Sequence, residues 1–218
     1  NLFAGTDGGG VFLSTNNGTS WTASSTGLTN INVTALAVSG TNIFAGTLGG
    51  GIFLSTDNGT TWTVSNTGLT NKNIRALVVS SGNLFVGTQG GGVFLSIDNG
   101  TGWTAINSGL TYNSVFALAI SGTNLFAGTN GGGVFFSTDS GTSWTATNTG
   151  LTNTFVRTLT FRGANLLAGT NGGGVFISTN NGANWASANT GLTNMYIHAL
   201  AFKGASLFAG NDGGGCRR

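Results

Sequence analysis

Between Val33 and Ser65 the apolar and β-branched residues gather into four short runs, Val33 to Ser39, Asn42 to Thr47, Gly51 to Thr56 and Trp62 to Ser65. Each is bounded by Gly, Asn, Ser or Thr, so the pattern predicts four β-strands joined by tight turns. We label these runs A, B, C and D. The segment that opens run B, Asn42-Ile43-Phe44-Ala45-Gly46-Thr47, has near copies at Asn1, Asn83, Asn124, Asn165 and Ser206, spaced by 41 residues each time. The chain is therefore a tandem array of repeats 1–41, 42–82, 83–123, 124–164 and 165–205, followed by a partial sixth copy, 206–215.

A period near 40 with four strands per unit points to a β-propeller, because a four-stranded sheet needs a neighbour on each apolar face and radial stacking supplies both. A β-solenoid is the alternative, although its repeats are usually shorter. The expected fold is all-β: a five-bladed β-propeller of four-stranded antiparallel blades in one domain, 1–218. The chain opens at run B, so the first blade needs a run A from Ile197 to Lys203. That exchange between the N- and C-termini would close the ring and remove an edge. It would also leave Ser206 to Gly210 surplus, since Asn1 to Thr6 fills the same place.

Composition excludes a helical protein: of 218 residues 40 are Gly, 6% are charged, and none is Glu. The net charge of +2 offers no basic stripe for nucleic acid. The single Cys, Cys216, allows neither an internal disulfide nor a thiolate cluster. The longest apolar runs, such as Val115 to Ile120, fall far short of a membrane span.

Between runs C and D every copy carries a turn with Ser first, Asp or Asn third, Gly fifth and Trp eighth. The third and eighth positions are Asn16 and Trp21, Asp57 and Trp62, Asp98 and Trp103, Asp139 and Trp144, and Asn180 and Trp185. The physical roles are structural: the Asp or Asn bonds the backbone of its own turn, Gly takes a positive φ, and Trp plugs an adjoining sheet. This motif resembles the Asp-box, or BNR repeat, of sialidase-like and photosystem II assembly-factor-like propellers, and the resemblance runs through the whole chain. Similar tandem repeats occur in bacterial surface proteins, so the resemblance implies a secreted or surface location. One carboxylate per turn is too few for calcium, and neither metal nor cofactor is expected.

The resemblance to sialidases would imply an arginine triad, a catalytic Asp and a Tyr activated by Glu, but this chain has no Glu. Glycoside hydrolysis needs two positioned carboxyl groups, while Asp57, Asp98 and Asp139 belong to the turns and only Asp7 and Asp212 remain. The expectation is a non-enzyme.

A ligand site should show where sister copies differ chemically. After Gly-Leu-Thr the columns read Ile31, Lys72, Asn113, Thr154, Met195, and then Asn32, Asn73, Ser114, Phe155, Tyr196. At the start of run A the column reads Thr34, Arg75, Phe116, Arg157, His198. In an antiparallel meander the D–A and B–C connections share one face, and this variation lies on it. The expected ligand-binding residues are Thr34, Arg75, Phe116, Arg157, His198, Asn32, Asn73, Phe155, Tyr196 and Lys72. Cations beside aromatic rings suit a glycan or a small anion. Another protein as partner, a ligand-free structural spacer and a photosystem II assembly-factor-like role remain as alternatives. Near-identical copies allow either a monomer or a strand-exchanged oligomer.

Overall fold

A computed structural model describes residues 1–211 and 214–217, the last four by their backbone. Asp212 and Arg218 lie outside the described residues, and so does the side chain of Cys216. The described residues are all-β, with no helix. They divide into two compact units, Asn1–Ile106 and Asn107–Arg218.

In the first unit, β1 (Leu2–Thr6), β2 (Gly10–Ser14) and β3 (Thr22–Ala23) form a three-stranded sheet. Two four-stranded sheets follow: β4 (Val33–Ser39), β5 (Asn42–Thr47), β6 (Gly51–Ser55) and β7 (Thr63–Val64), then β8 (Ile74–Ser80), β9 (Asn83–Thr88), β10 (Gly92–Ser96) and β11 (Thr104–Ala105). The second unit repeats the plan with β12 (Val115–Ser121), β13 (Asn124–Thr129), β14 (Gly133–Ser137) and β15 (Thr145–Ala146), and with β16 (Val156–Arg162), β17 (Asn165–Thr170), β18 (Gly174–Ser178) and β19 (Ala186–Ser187). It ends in three strands, β20 (Ile197–Lys203), β21 (Ser206–Asn211) and β22 (Gly214–Arg217). All pairings are antiparallel between chain neighbours. Run D contributes only two ladder residues per copy.

Closure differs from the sequence expectation. β20 pairs with β21, Lys203 facing Ser206, instead of completing β1–β3. Four complete sheets and two three-stranded ones thus stand where five four-stranded blades were expected, and Ser206–Asn211 is not surplus. A two-residue turn joins β20 to β21, so this pairing closes a far shorter loop than pairing with β1 would.

Run B is buried on both faces where sheets stack against it on either side, as in Ile43 to Thr47 between β1–β3 and β8–β11. The Gly of Phe-Ala-Gly-Thr is where run A of the following sheet comes closest. A Cβ on Gly46 would lie 2.4 Å from Ile74 Cγ2, and one on Gly128 2.6 Å from Val156 Cγ1. In the first unit Phe44, Ile52, Leu69, Ile74, Leu84, Phe94 and Trp103 form one core between two sheets. In the second unit Phe126, Val134, Leu151, Val156, Leu166, Phe176 and Trp185 form its counterpart, with Phe126 stacked on Phe136 at 4.6 Å.

The C–D turns behave as their chemistry predicts. Ser55 Oγ accepts from the Gly59 N–H (2.8 Å) and donates to Asp57 Oδ1 (2.8 Å), which also accepts from the Thr61 N–H (2.9 Å). Asn16 and Asn180 accept the equivalent backbone bonds from Ser20 and Asn184. Trp62 then reaches back into the preceding sheet, its indole N–H donating to Ser24 O at 2.7 Å and its backbone N–H to Thr26 O at 2.8 Å. Trp103 and Trp185 repeat this on Ser65 O and Thr147 O. Each buried Trp contributes up to ~5 kcal/mol, from ~200 Å² at ~25 cal/mol per Å². Trp21 is the exception at 43% exposed, whereas the other four are 3–6% exposed. No described sheet precedes β1–β3 to receive it.

Candidate functional site

The D–A and B–C connections are held by their backbones, which leaves their side chains free to differ. In the first unit the carbonyl of Lys72 accepts from both Gly49 N and Gly51 N at 3.0 Å, and Leu48 bridges to Asn73. In the second, Thr154 O and Met195 O each hold two glycine N–H groups, and Asn130 and Asn171 bridge to Phe155 and Tyr196. The Gly-Gly-Gly loops at Gly49–Gly51, Gly131–Gly133 and Gly172–Gly174 are thereby pinned to the D–A connection of their own copy. The two variable columns after Gly-Leu-Thr are backbone clamps with side chains to spare.

The third variable column has a distinct local cause. In every run A the register slips at one residue, between Val33/Ala35, Ile74/Ala76, Val115/Ala117, Val156/Thr158 and Ile197/Ala199. The residues that slip out of register are Thr34, Arg75, Phe116, Arg157 and His198. A β-bulge bends its strand and re-aims a side chain out of the alternation, so this column is set by backbone geometry as much as by face.

In the first unit the bulge residues are tied down. Thr34 Oγ1 donates within reach of two acceptors, Ile74 O at 2.8 Å and Gly46 O at 3.1 Å, and so links adjacent sheets. Arg75 grips Gln89 Oε1 through Nη2 (2.6 Å) and Nε (3.0 Å). Lys72 and Asn73 are exposed, Asn32 half-buried. A cleft of about 520 Å³ opens in this unit among the turns of the opposite face, lined by Asn1, Phe3, Val38, Ile43, Asp57 and Asn58.

The second unit gathers more. Arg157 lies over the Phe116 ring with its guanidinium carbon 4.6 Å from the centroid. Its Nε is buried and makes no hydrogen bond. On the same loop face Phe155 and Tyr196 are about half exposed, and His198 is exposed. Tyr112, also half exposed, is a residue that sequence comparison passed over. It replaces the Asn that the other copies carry as Asn30, Asn71, Asn153 and Asn194. That interruption of an otherwise uniform column was the available signal. Tyr112 and Phe155 flank one loop: a Cβ on Gly131 would meet their ring edges at 3.8 and 3.7 Å.

The carboxylates of Asp57, Asp98 and Asp139 belong to the opposite face, while Asp7 lies on the B–C connection between β1 and β2. Hydrogen bonds from the Thr61 hydroxyl and backbone, with Ser55, lower the Asp57 pKa to about 2; the Ser143 and Ser137 hydroxyls do the same for Asp139. The Gly102 N–H and the Ser96 hydroxyl also lower that of Asp98. Among the described residues no group of three metal-ligating side chains occurs, and no helix is long and apolar enough to cross a membrane.

No family model and no curated protein matches this chain. Solved structures do. The extracellular domain of BT4673 from B. thetaiotaomicron is similar at 20% identity and a TM-score of 0.76, covering 97% of this chain and 30% of that one. YCF48 bound to D1 peptide is similar at 16% identity and a TM-score of 0.71, covering 95% and 71%. A GH74 enzyme of Niastella koreensis is similar at 19% identity and a TM-score of 0.67, covering 96% and 34%. The chain thus spans about a third of the length of two of these proteins. The likeness shows the fold: repeated four-stranded blades of propeller type.

Proposed function

We propose that this chain is a non-enzymatic binding module, secreted or displayed on a bacterial surface, whose D–A and B–C loop face takes a carbohydrate or a small anion. The carrying observation is the pair of Arg157 and Phe116, with a buried guanidinium Nε that makes no hydrogen bond, on the face that also exposes Tyr112, Phe155 and Tyr196. Aromatic faces of this kind stack on the apolar face of a sugar ring, and a guanidinium already desolvated on one side donates its remaining N–H groups to an anion in a fixed fork. The bulges that re-aim run A bring side chains of different copies to one face, the arrangement propeller sites use.

The non-enzymatic reading is supported by the carboxylates of Asp57, Asp98 and Asp139. They are engaged by their own turns on the far face, and acid–base work on a glycosidic bond needs two that are free. The likeness to a GH74 enzyme is one of fold. We read the Ser-x-Asp/Asn-x-Gly turns as Asp-boxes that staple neighbouring blades, and the repeats as one propeller module. The neighbour YCF48, bound to D1 peptide, favours a protein partner as the second reading.

A glycan and small-anion array probed with the purified chain tests this, beside the Arg157→Ala variant. A reproducible hit lost in a variant that stays folded is expected. Equal binding by the variant overturns the site, and silence across the array favours the protein partner.

A further inference from the structure

An amide staple recurs on the D–A connection. Asn30 Oδ1 accepts from the Asn32 N–H at 3.0 Å, while its Nδ2 donates to Leu48 O at 3.1 Å. Asn71 does the same with the Asn73 N–H and Gln89 O, and Asn153 with the Phe155 N–H and Asn171 O. Each staple ties its connection to the B–C loop of the following copy. In the second unit Tyr112 stands in this column, and a phenol ring offers neither amide group. The Ser114 N–H and the Asn130 carbonyl hold the two partner positions, and both lose that side-chain bond. Tyr112 also gains little cover, being 50% exposed. A residue that breaks a local rule without a local gain marks a site that serves contact rather than folding.

The Tyr112 ring is nonetheless fixed. A Cβ on Gly132 would stand 2.4 Å from its Cγ and 2.6 Å from its Cβ, so only glycine leaves the ring this place. Phe155, 46% exposed, borders the same loop: a Cβ on Gly131 would lie 3.7 Å from Phe155 Cε1 and 3.8 Å from Tyr112 Cε1. The floor between the two ring edges is therefore bare backbone. It is held by the Gly131 N–H, which donates to Thr154 O at 3.1 Å. Neither ring stacks on another described ring, so both keep surface for a guest.

This floor adjoins the cation. Phe155 precedes Arg157 by two residues, a step of up to about 7 Å in extended chain, and Arg157 lies over Phe116, four residues after Tyr112. One glycosidic linkage bridges a step of that kind.

On the reading of Arg157 as an anion-binding group, we propose that Tyr112, Gly131 and Phe155 form a ring-binding subsite beside it, and that the ligand is an acidic oligosaccharide. One sugar ring lays its apolar face against the aromatic pair and donates a hydroxyl to the Asn130 carbonyl. The carboxylate of the neighbouring sugar takes the guanidinium by charge-assisted hydrogen bonds. A small anion fills only the second half of such a site.

Calorimetric titration of the full chain with trigalacturonate, its methyl ester, galacturonate and inorganic phosphate tests this. Trigalacturonate should bind at least about tenfold more tightly than each of the other three. Tyr112→Asn restores the staple of the sister copies, so it should melt no lower than the parent. It should weaken trigalacturonate binding about tenfold and leave phosphate binding unchanged, and Phe155→Asn, which copies Asn73, should do the same. Trigalacturonate binding that is lost in Arg157→Ala but unchanged in both Asn variants would overturn the subsite and leave the anion site standing. Equal affinity for phosphate and trigalacturonate would do likewise. Failure of all four probes to bind would overturn both the subsite and the reading it rests on.

Discussion

The repeats assign different weights to chemically identical tryptophans, and substitution to Ala measures the difference. Trp103 is 4% exposed and donates its indole N–H to Ser65 O at 2.8 Å. Removing it loses up to ~5 kcal/mol of burial, leaves a cavity between two sheets, and strands a buried carbonyl for ~1 kcal/mol more. Partial collapse of the site brings the expected net cost of Trp103→Ala to about 4 kcal/mol. Trp21 is 43% exposed and has no sheet to enter within its unit, so Trp21→Ala should cost less than about 2 kcal/mol. At ~2–4 °C per kcal/mol for a chain of this size, the first variant melts roughly 10 °C lower and the second within a few degrees of the parent. Thermal and urea unfolding provides the assay. Equal losses from the two substitutions would refute the claim that each Trp works by entering the preceding sheet.

Gly68 has φ +81° and a Cβ there would stand 2.2 Å from the Trp103 carbonyl, while Gly82 has φ +83° and open space. Urea titration should show Gly68→Ala costing over ~3 kcal/mol and Gly82→Ala about 1 kcal/mol. The folded-state pKa values of Asp57 and Asp139, about 2, lie below the ordinary 3.8. Their contribution is therefore present above pH 4 and is lost as pH falls toward 2. The Asp57→Asn/Asp139→Asn variant, which copies the Asn16 and Asn180 turns, should melt with a flatter pH dependence between 4 and 2. Thr34→Val removes the hydroxyl that links Ile74 O and Gly46 O, and calorimetry should find it destabilised by about 1 kcal/mol.

Much of the fold was legible in the sequence because packing and turn chemistry repeat with it. Runs A and B were read at their observed bounds, Val33–Ser39 and Asn42–Thr47, since alternation and the flanking Gly and Asn mark both ends. Closure was not legible. Asn1–Thr6 and Ser206–Asn211 are nearly the same segment, and the choice between them rests on loop length, which composition does not encode. Arg75, Phe116 and Arg157 could be singled out as a variable column, but the bulge that aims them is a property of pairing between runs A and B. Tyr112 was overlooked because it lies one residue before the columns compared, and its role beside Phe155 depends on where Gly131 folds back.

The most direct measurement on the binding face is hydrogen–deuterium exchange of the chain with and without the strongest glycan or anion from the array. The account predicts added protection in 112–116, 153–157 and 194–198, with the C–D turns around Asp57, Asp98 and Asp139 unchanged. Protection centred instead on the opposite-face cleft of Asn1, Phe3, Val38 and Asp57 would contradict it.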